Sequence, residues 1–164
     1  MLIPAGTLLT GDLLTAATGN VVVKSGTQTV TSSTTLVDDS ELKLTVPAIT
    51  AKYLMLAYLL YDGALDPAGG LKMQFTGPGT MTWTNFGANI SAPSGYNVVT
   101  EQLSAASPRA VPTNAGTQMS CCPMGILSTT GSGGTLLLRW AQNTSNATAT
   151  RVMANSLLML ARVA

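Results

Sequence analysis

The chain of 164 residues has the length of one domain, enough to close a single hydrophobic core. Apolar residues make up 46% and charged residues 9%, against roughly 25% charged in an average soluble domain. Eight basic and seven acidic side chains leave a net charge of +1, too little for a broad electrostatic grip on nucleic acid or an anionic membrane, and the absence of histidine excludes a Ser-His-Asp triad, a Cys-His dyad and His-ligated metal sites.

Turn formers and Thr dominate the polar composition, with 24 Thr, 13 Ser, 16 Gly, 8 Asn and 8 Pro. Thr is β-branched and fits a pleated surface, while Gly, Asn, Ser and Pro punctuate turns. A surface this poor in charge has weak protection against self-association and is expected to be covered by neighbours or by copies of itself. The N-terminus has no basic start before an apolar stretch, so no export signal is expected. The most apolar run, residues 53–61, is half the ~20 residues of a spanning helix. Cys121 and Cys122 are adjacent and are expected to be free, buried thiols, in keeping with synthesis in a reducing cytoplasm.

Residues 1–20 stand apart as an apolar N-terminal arm. Residues 10–17 can form one or two helical turns that Gly19-Asn20 stops, and a segment so short is stable only when docked on something. Leu2, Ile3, Leu8, Leu9, Leu13 and Leu14 are its candidate docking side chains. From residue 21 to the end the pattern is strands and turns. Val21–Val23 and residues 27–37 read as strands, Asp38-Asp39-Ser40 as a turn, and residues 41–46 as a strand with Leu42, Leu44 and Val46 on one face.

Residues 52–61 read as the central strand. Tyr53, Met55, Ala57, Leu59 and Tyr61 share one face, and Leu54, Leu56, Tyr58 and Leu60 the other. Both faces are apolar, whereas a strand of an isolated sandwich wets one. A subunit interface or a loop of the same chain would cover the second face. Further strands are predicted over residues 71–76, 80–83, 98–103, 119–127, 135–142, 148–153 and 157–163, with loops at 84–97 and 104–117. Eight to ten strands with turn signals every 8–12 residues predict an all-β antiparallel sandwich over residues 21–164.

None of the candidate chemical motifs outweighs an ordinary structural role. Asp38-Asp39-Ser40-Glu41 lacks the ligand spacing of a calcium loop. Asp62 and Asp66 lie four apart in a Gly/Pro loop and read as turn residues rather than a glycosidase pair. Gly131-Ser132-Gly133-Gly134 has no following Lys-Ser/Thr and no helix, so it is no phosphate loop. Asn89, Asn143 and Asn146 match the glycosylation sequon but read as turn residues. Trp83, Trp140, Tyr58 and Tyr96 could stack on sugar rings or pack in a core or an interface. No catalytic residue, metal ligand or cofactor site is expected, and the chain reads as non-enzymatic.

Ala5-Gly6-Thr7-Leu8-Leu9-Thr10 followed by Leu13-Leu14 resembles the N-terminal arm of a family of small structural proteins of actinobacteriophages and prophages. Residues 28–39, QTVTSSTTLVDD, are similar to the family's SVTSSTTLVND, and residues 72–78, KMQFTGP, to its LKxxFTGP. Residues 138–150 with Leu157-Leu158-Met159-Leu160 resemble its closing LxWAQNTSxATATxVxxGSxLxLxRV, although Asn155 stands where the family often has Gly. The resemblance implies a virion protein with a jelly-roll-like sandwich that forms a homotrimer and contacts other phage virion proteins on the capsid, tail or baseplate. The expected trimer interface is Leu54, Leu56, Tyr58 and Leu60, or the opposite set on the same strand. The other reading is a tail-fibre module for a host surface glycan, using the 84–97 and 104–117 loops with Tyr96 or Trp83.

Overall fold

The computed structural model describes residues 20–65, 70–86, 103–104 and 108–164. They form twelve strands: β1 (Asn20–Val23), β2 (Gln28–Val30), β3 (Val37–Val46), β4 (Thr50–Asp62), β5 (Leu71–Thr76), β6 (Thr80–Phe86), β7 (Leu103–Ser104), β8 (Arg109–Val111), β9 (Met119–Thr130), β10 (Gly134–Gln142), β11 (Thr150–Val152) and β12 (Leu157–Arg162). The pairing is nested. β1 pairs with β12, β3 with β10, β4 with β9 and β5 with β8, all antiparallel. A long hairpin rolled on itself gives this order, which is the jelly roll. One sheet runs β1-β12-β4-β9-β6-β7, with β11 joining β2 to β4, and the second runs β3-β10-β5-β8.

The inward faces follow from period-two alternation. Leu42, Leu44 and Val46 of β3, Leu71, Met73 and Phe75 of β5, and Leu136, Leu138 and Trp140 of β10 are buried from one sheet. Tyr53, Met55, Ala57, Leu59 and Tyr61 of β4 meet them from the other. Phe75 and Trp83 join the layers edge-to-face, with ring centroids 5.2 Å apart at 79°. Gly125 stands opposite Trp83 on β9, where a Cβ would lie 2.3 Å from the Thr82 carbonyl and 2.7 Å from the Trp83 Cβ.

The expected turn at Asp38-Asp39-Ser40 is not a turn. β3 runs through it as a bulge, with the register against β10 slipping between Leu137 and Arg139. The cause is Asp39, whose side chain is fully buried. Its Oδ1 accepts the backbone N–H groups of Glu41 (3.0 Å) and Leu42 (2.9 Å), and its Oδ2 accepts the Trp140 indole N–H at 3.1 Å. Lys24, equally buried just after β1, donates to Asp39 Oδ1 at 2.9 Å and lies 3.6 Å from Glu41 Oε1. The carboxylate thus ties the bulge, β10 and the end of β1 together.

The predicted strand at 27–37 shrinks to β2, because residues 31–36 follow side-chain contacts instead of a ladder. Ser33 N–H donates to Gln142 Oε1, and Ser32 takes a left-handed φ of 53° while donating its N–H to the Asn146 carbonyl. β6 extends three residues further than expected, and β8 falls within a predicted loop. The predicted helical turns at 10–17 and most of the predicted strand at 98–103 lie outside the described residues.

Candidate self-association surface

The outward face of the first sheet is largely apolar across β1, β12, β4 and β9, and Thr82, Thr84 and Phe86 continue it on β6. On β4 it presents Leu54, Leu56, Tyr58 and Leu60, all half-buried, so the structure brings together the four side chains singled out from the sequence. The opposite set, Tyr53 to Tyr61, fills the sandwich core and is unavailable to a partner. Register extends the patch sideways. Leu56 lies between Met159 of β12 and Met124 of β9, and Leu54 between Ala161 and Ile126. Beyond β12, Val21 and Val23 of β1 pair with Met159 and Leu157, and beyond β9, Thr82, Thr84 and Phe86 of β6 pair with Ile126, Met124 and Cys122.

Four large apolar side chains of this face are well exposed: Val21 (55%), Val23 (54%), Phe86 (41%) and Ile126 (38%). From Leu54 to Leu60 and their lateral neighbours the outward positions hold no Asp, Glu, Lys or Arg. Polar side chains appear at its ends, with Lys52 and Ser128 at one and Ser120 at the other. An apolar centre with a polar rim is the layout of a protein interface. Five strands about 4.8 Å apart and ~20 Å long give roughly 500 Å² in projection, near the top of what monomers expose in one patch. Sequence reading found only the β4 share, because periodicity assigns a face to each strand but not which strands lie side by side.

The relief is uneven. Between β4, β9 and β6 lies a hollow of about 330 Å³ lined by Leu54, Thr82, Thr84, Met124 and Ile126, with Trp83 and Gly125 in the strands beneath. Cys122 faces this outer side half-buried, and Cys121 points into the core. Neighbours on a strand point to opposite faces, so the two thiols stay free. Only one of them is buried as expected; burial and then the neighbouring Cys122 push the Cys121 thiol up, away from its reactive thiolate form.

The other candidates serve the fold. Trp83 and Trp140 are buried, at 1% and 0% exposure, and neither can stack on a sugar. Asp62 is held by a two-pronged ion pair with Arg151, and Asp66 lies outside the described residues. The Asn146 side chain accepts the Thr148 N–H in a tight turn. Glu41 accepts the Ser25 N–H and hydroxyl, both at 2.7 Å, and the Gly26 N–H at 3.1 Å. The Ser25 N–H, then its hydroxyl, then Gly26 hold this carboxyl down to about 2. Among the described residues no cluster of three or more His, Cys, Asp or Glu could hold a metal, and no helix is long and apolar enough to cross a membrane. Leu2, Ile3, Leu8, Leu9, Leu13 and Leu14 lie outside the described residues, as does Tyr96.

No family profile matches the sequence, and no curated protein matches it significantly. Among solved structures, the chain is similar to the Eiger TNF of S. frugiperda at 14% identity, over 89% of this chain and 93% of that one, with a TM-score of 0.36. It is also similar to the infectious bursal disease virus Gx strain structure at 10% identity and a TM-score of 0.21, over 98% of this chain and 44% of that one.

Proposed function

We propose that this protein is a non-enzymatic structural component of a phage particle, a homotrimer that decorates the capsid or sits on the tail or baseplate. The observation that carries the reading is the charge-free stretch from Leu54 to Leu60 on the outer face of β4 with its lateral neighbours, an apolar surface that a monomer would leave in water. A closed ring covers such a face on every copy and leaves one end for docking and one for display. The motifs at residues 28–39, 72–78 and 138–150 support the virion setting. The apolar segment at 1–19 docks the trimer on other virion proteins, and it joins the sandwich at Asn20, the first residue of β1.

Light scattering on the full chain tests the assembly. A stable monomer at micromolar concentration overturns the reading. In Leu56→Asp an unpaired carboxylate would sit in the contact at a cost of several kcal/mol, so the variant is expected to be monomeric or to aggregate. The position and copy number of the protein in purified particles then distinguish shell decoration from a tail or baseplate site.

A further inference from the structure

Lys24 and Asp39 bring an amine and a carboxyl group together in a place closed to solvent. Lysine is almost never fully buried, and here its backbone is clamped as well: the Lys24 N–H donates to the Ser156 carbonyl at 2.7 Å, and the Lys24 carbonyl accepts the Asn155 N–H at 2.8 Å. Nζ then lies 2.9 Å from Asp39 Oδ1, 3.4 Å from Ser40 Oγ and 3.6 Å from Glu41 Oε1. Asp39 is held in turn by the Glu41 and Leu42 N–H groups on Oδ1 and the Trp140 indole on Oδ2. A fixed amine beside a fixed carboxyl group, with a second carboxylate near the same nitrogen, suits condensation as well as ion pairing. We propose that Lys24 Nζ and Asp39 Cγ condense into an amide, with Glu41 as the proton carrier, so that a covalent bond joins the end of β1 in one sheet to β3 in the other.

The reaction is a loss of water: an ammonium and a carboxylate give a secondary amide and one water, and nothing is oxidised or reduced. Glu41 takes a proton from Nζ and delivers it to Asp39 Oδ1, leaving an amine beside a carboxylic acid. The amine lone pair attacks Cγ, and negative charge gathers on Oδ2, which faces the Trp140 N–H. A second proton follows from the nitrogen to Oδ1 by the same route. The Cγ–Oδ1 bond breaks, water leaves, and Oδ2 stays behind as the amide carbonyl. The hydrogen bonds from Ser25 and Gly26 keep Glu41 ionised and a weak base, so it passes the proton on instead of keeping it. The product replaces two buried charges by a neutral amide, which removes the desolvation cost of the pair. Groups fixed in reacting position reach effective molarities on the order of 10⁵–10⁸ M, far above that of water itself, so the step needs no activating cofactor.

Intact-mass spectrometry of the purified full chain, unfolded before measurement, tests the bond. The expected mass is one water below that of the sequence. After trypsin, the peptide carrying the loss is expected to run uncut through Lys24 to Lys43, because an acylated lysine is not cleaved. Lys24→Met and Asp39→Ala are each expected at their full sequence masses. Glu41→Gln keeps the shape but cannot carry the proton, and is expected to lose water at least roughly a hundredfold more slowly. A parent chain at its full sequence mass overturns the proposal. So does a water loss that leaves Lys24 cleavable or persists in Lys24→Met, as from a cyclised aspartate. Glu41→Gln condensing as fast as the parent overturns the part given to Glu41. The parent measurement needs no variant to fold. Mass is the readout because stability falls in Lys24→Met whether an ion pair or an amide is lost, and the virion reading has no bearing on the outcome.

Discussion

Replacing Lys24 by Met tests whether the buried charge cluster holds the sandwich together. Lys24 Nζ sits 2.9 Å from Asp39 Oδ1, with both side chains at 0% exposure. Removing the cation leaves a carboxylate out of water with only neutral donors: the N–H groups of Glu41 and Leu42 and the indole of Trp140. Breaking one side of a buried pair costs about 3–5 kcal/mol, and three retained hydrogen bonds put the expected loss near ~3 kcal/mol. At a urea slope of ~2 kcal/mol per molar this lowers the unfolding midpoint by about 1.5 M. Asp39→Asn added to Lys24→Met removes the stranded charge and is expected to recover part of the loss. Arg139→Met is the control: its pair with Asp38 spans 2.9 Å, but the side chains are 36% and 65% exposed, and the expected change is under ~1 kcal/mol. Urea unfolding is followed by tryptophan fluorescence at matched protein concentration, since association shifts apparent stability. A Lys24→Met midpoint no lower than that of Arg139→Met refutes the reasoning.

Gly125→Ala forces a Cβ against the Thr82 carbonyl and Trp83 and is expected to lose about 3 kcal/mol in the same assay; Gly26→Ala, whose Cβ would meet only Glu41 Oε1 at 3.5 Å, is expected to stay within ~0.5 kcal/mol. Glu41, whose folded pKa is about 2 against an ordinary 4.5, contributes stability that is present above pH 4.5 and is lost as pH falls toward 2, so Glu41→Gln is expected to flatten the acid limb of a stability profile in that window. Deleting residues 1–19 is expected to leave the far-UV circular dichroism of the β-sandwich intact and to abolish incorporation into particles, measured by mass spectrometry of purified virions.

The strands that alternate cleanly were legible. Leu42, Leu44 and Val46, or Leu71, Met73 and Phe75, declare an inward face within six residues, and β4 declares two apolar faces. What decides between interface and core for those faces is the neighbour across the sheet, and Met159 lies 103 positions from Leu56 in the chain. Asp39 was illegible for the same reason. A run of Asp-Asp-Ser reads locally as a turn, yet its carboxylate is spoken for by Lys24 and by Trp140, 15 and 101 residues away. Residues 31–36 show the converse: β-branched composition favours a strand, and Gln142 and Asn146 hold the backbone in another path. β8 has three residues between Pro108 and Pro112, too few for periodicity to register.

Among the described residues, Lys24, Asp39 and Asp62 carry part of the sparse charge inside the molecule. Each carboxylate among the described residues pairs with a cation of the same chain: Asp38 with Arg139, Asp39 and Glu41 with Lys24, and Asp62 with Arg151. Asp39 and Asp62 are buried, so these charges orient a bulge and a strand end instead of keeping copies apart. Soluble domains normally deter association with interspersed surface charge of both signs. Here each side-chain carboxylate among the described residues is tied to a cation of the same chain, and the centre of the widest face, from Leu54 to Leu60, lacks charge of either sign. Lys24 and Asp39, which fix the β3 bulge, are withdrawn from the surface, and the stretch from Leu54 to Leu60 on the outer face of β4 is left apolar.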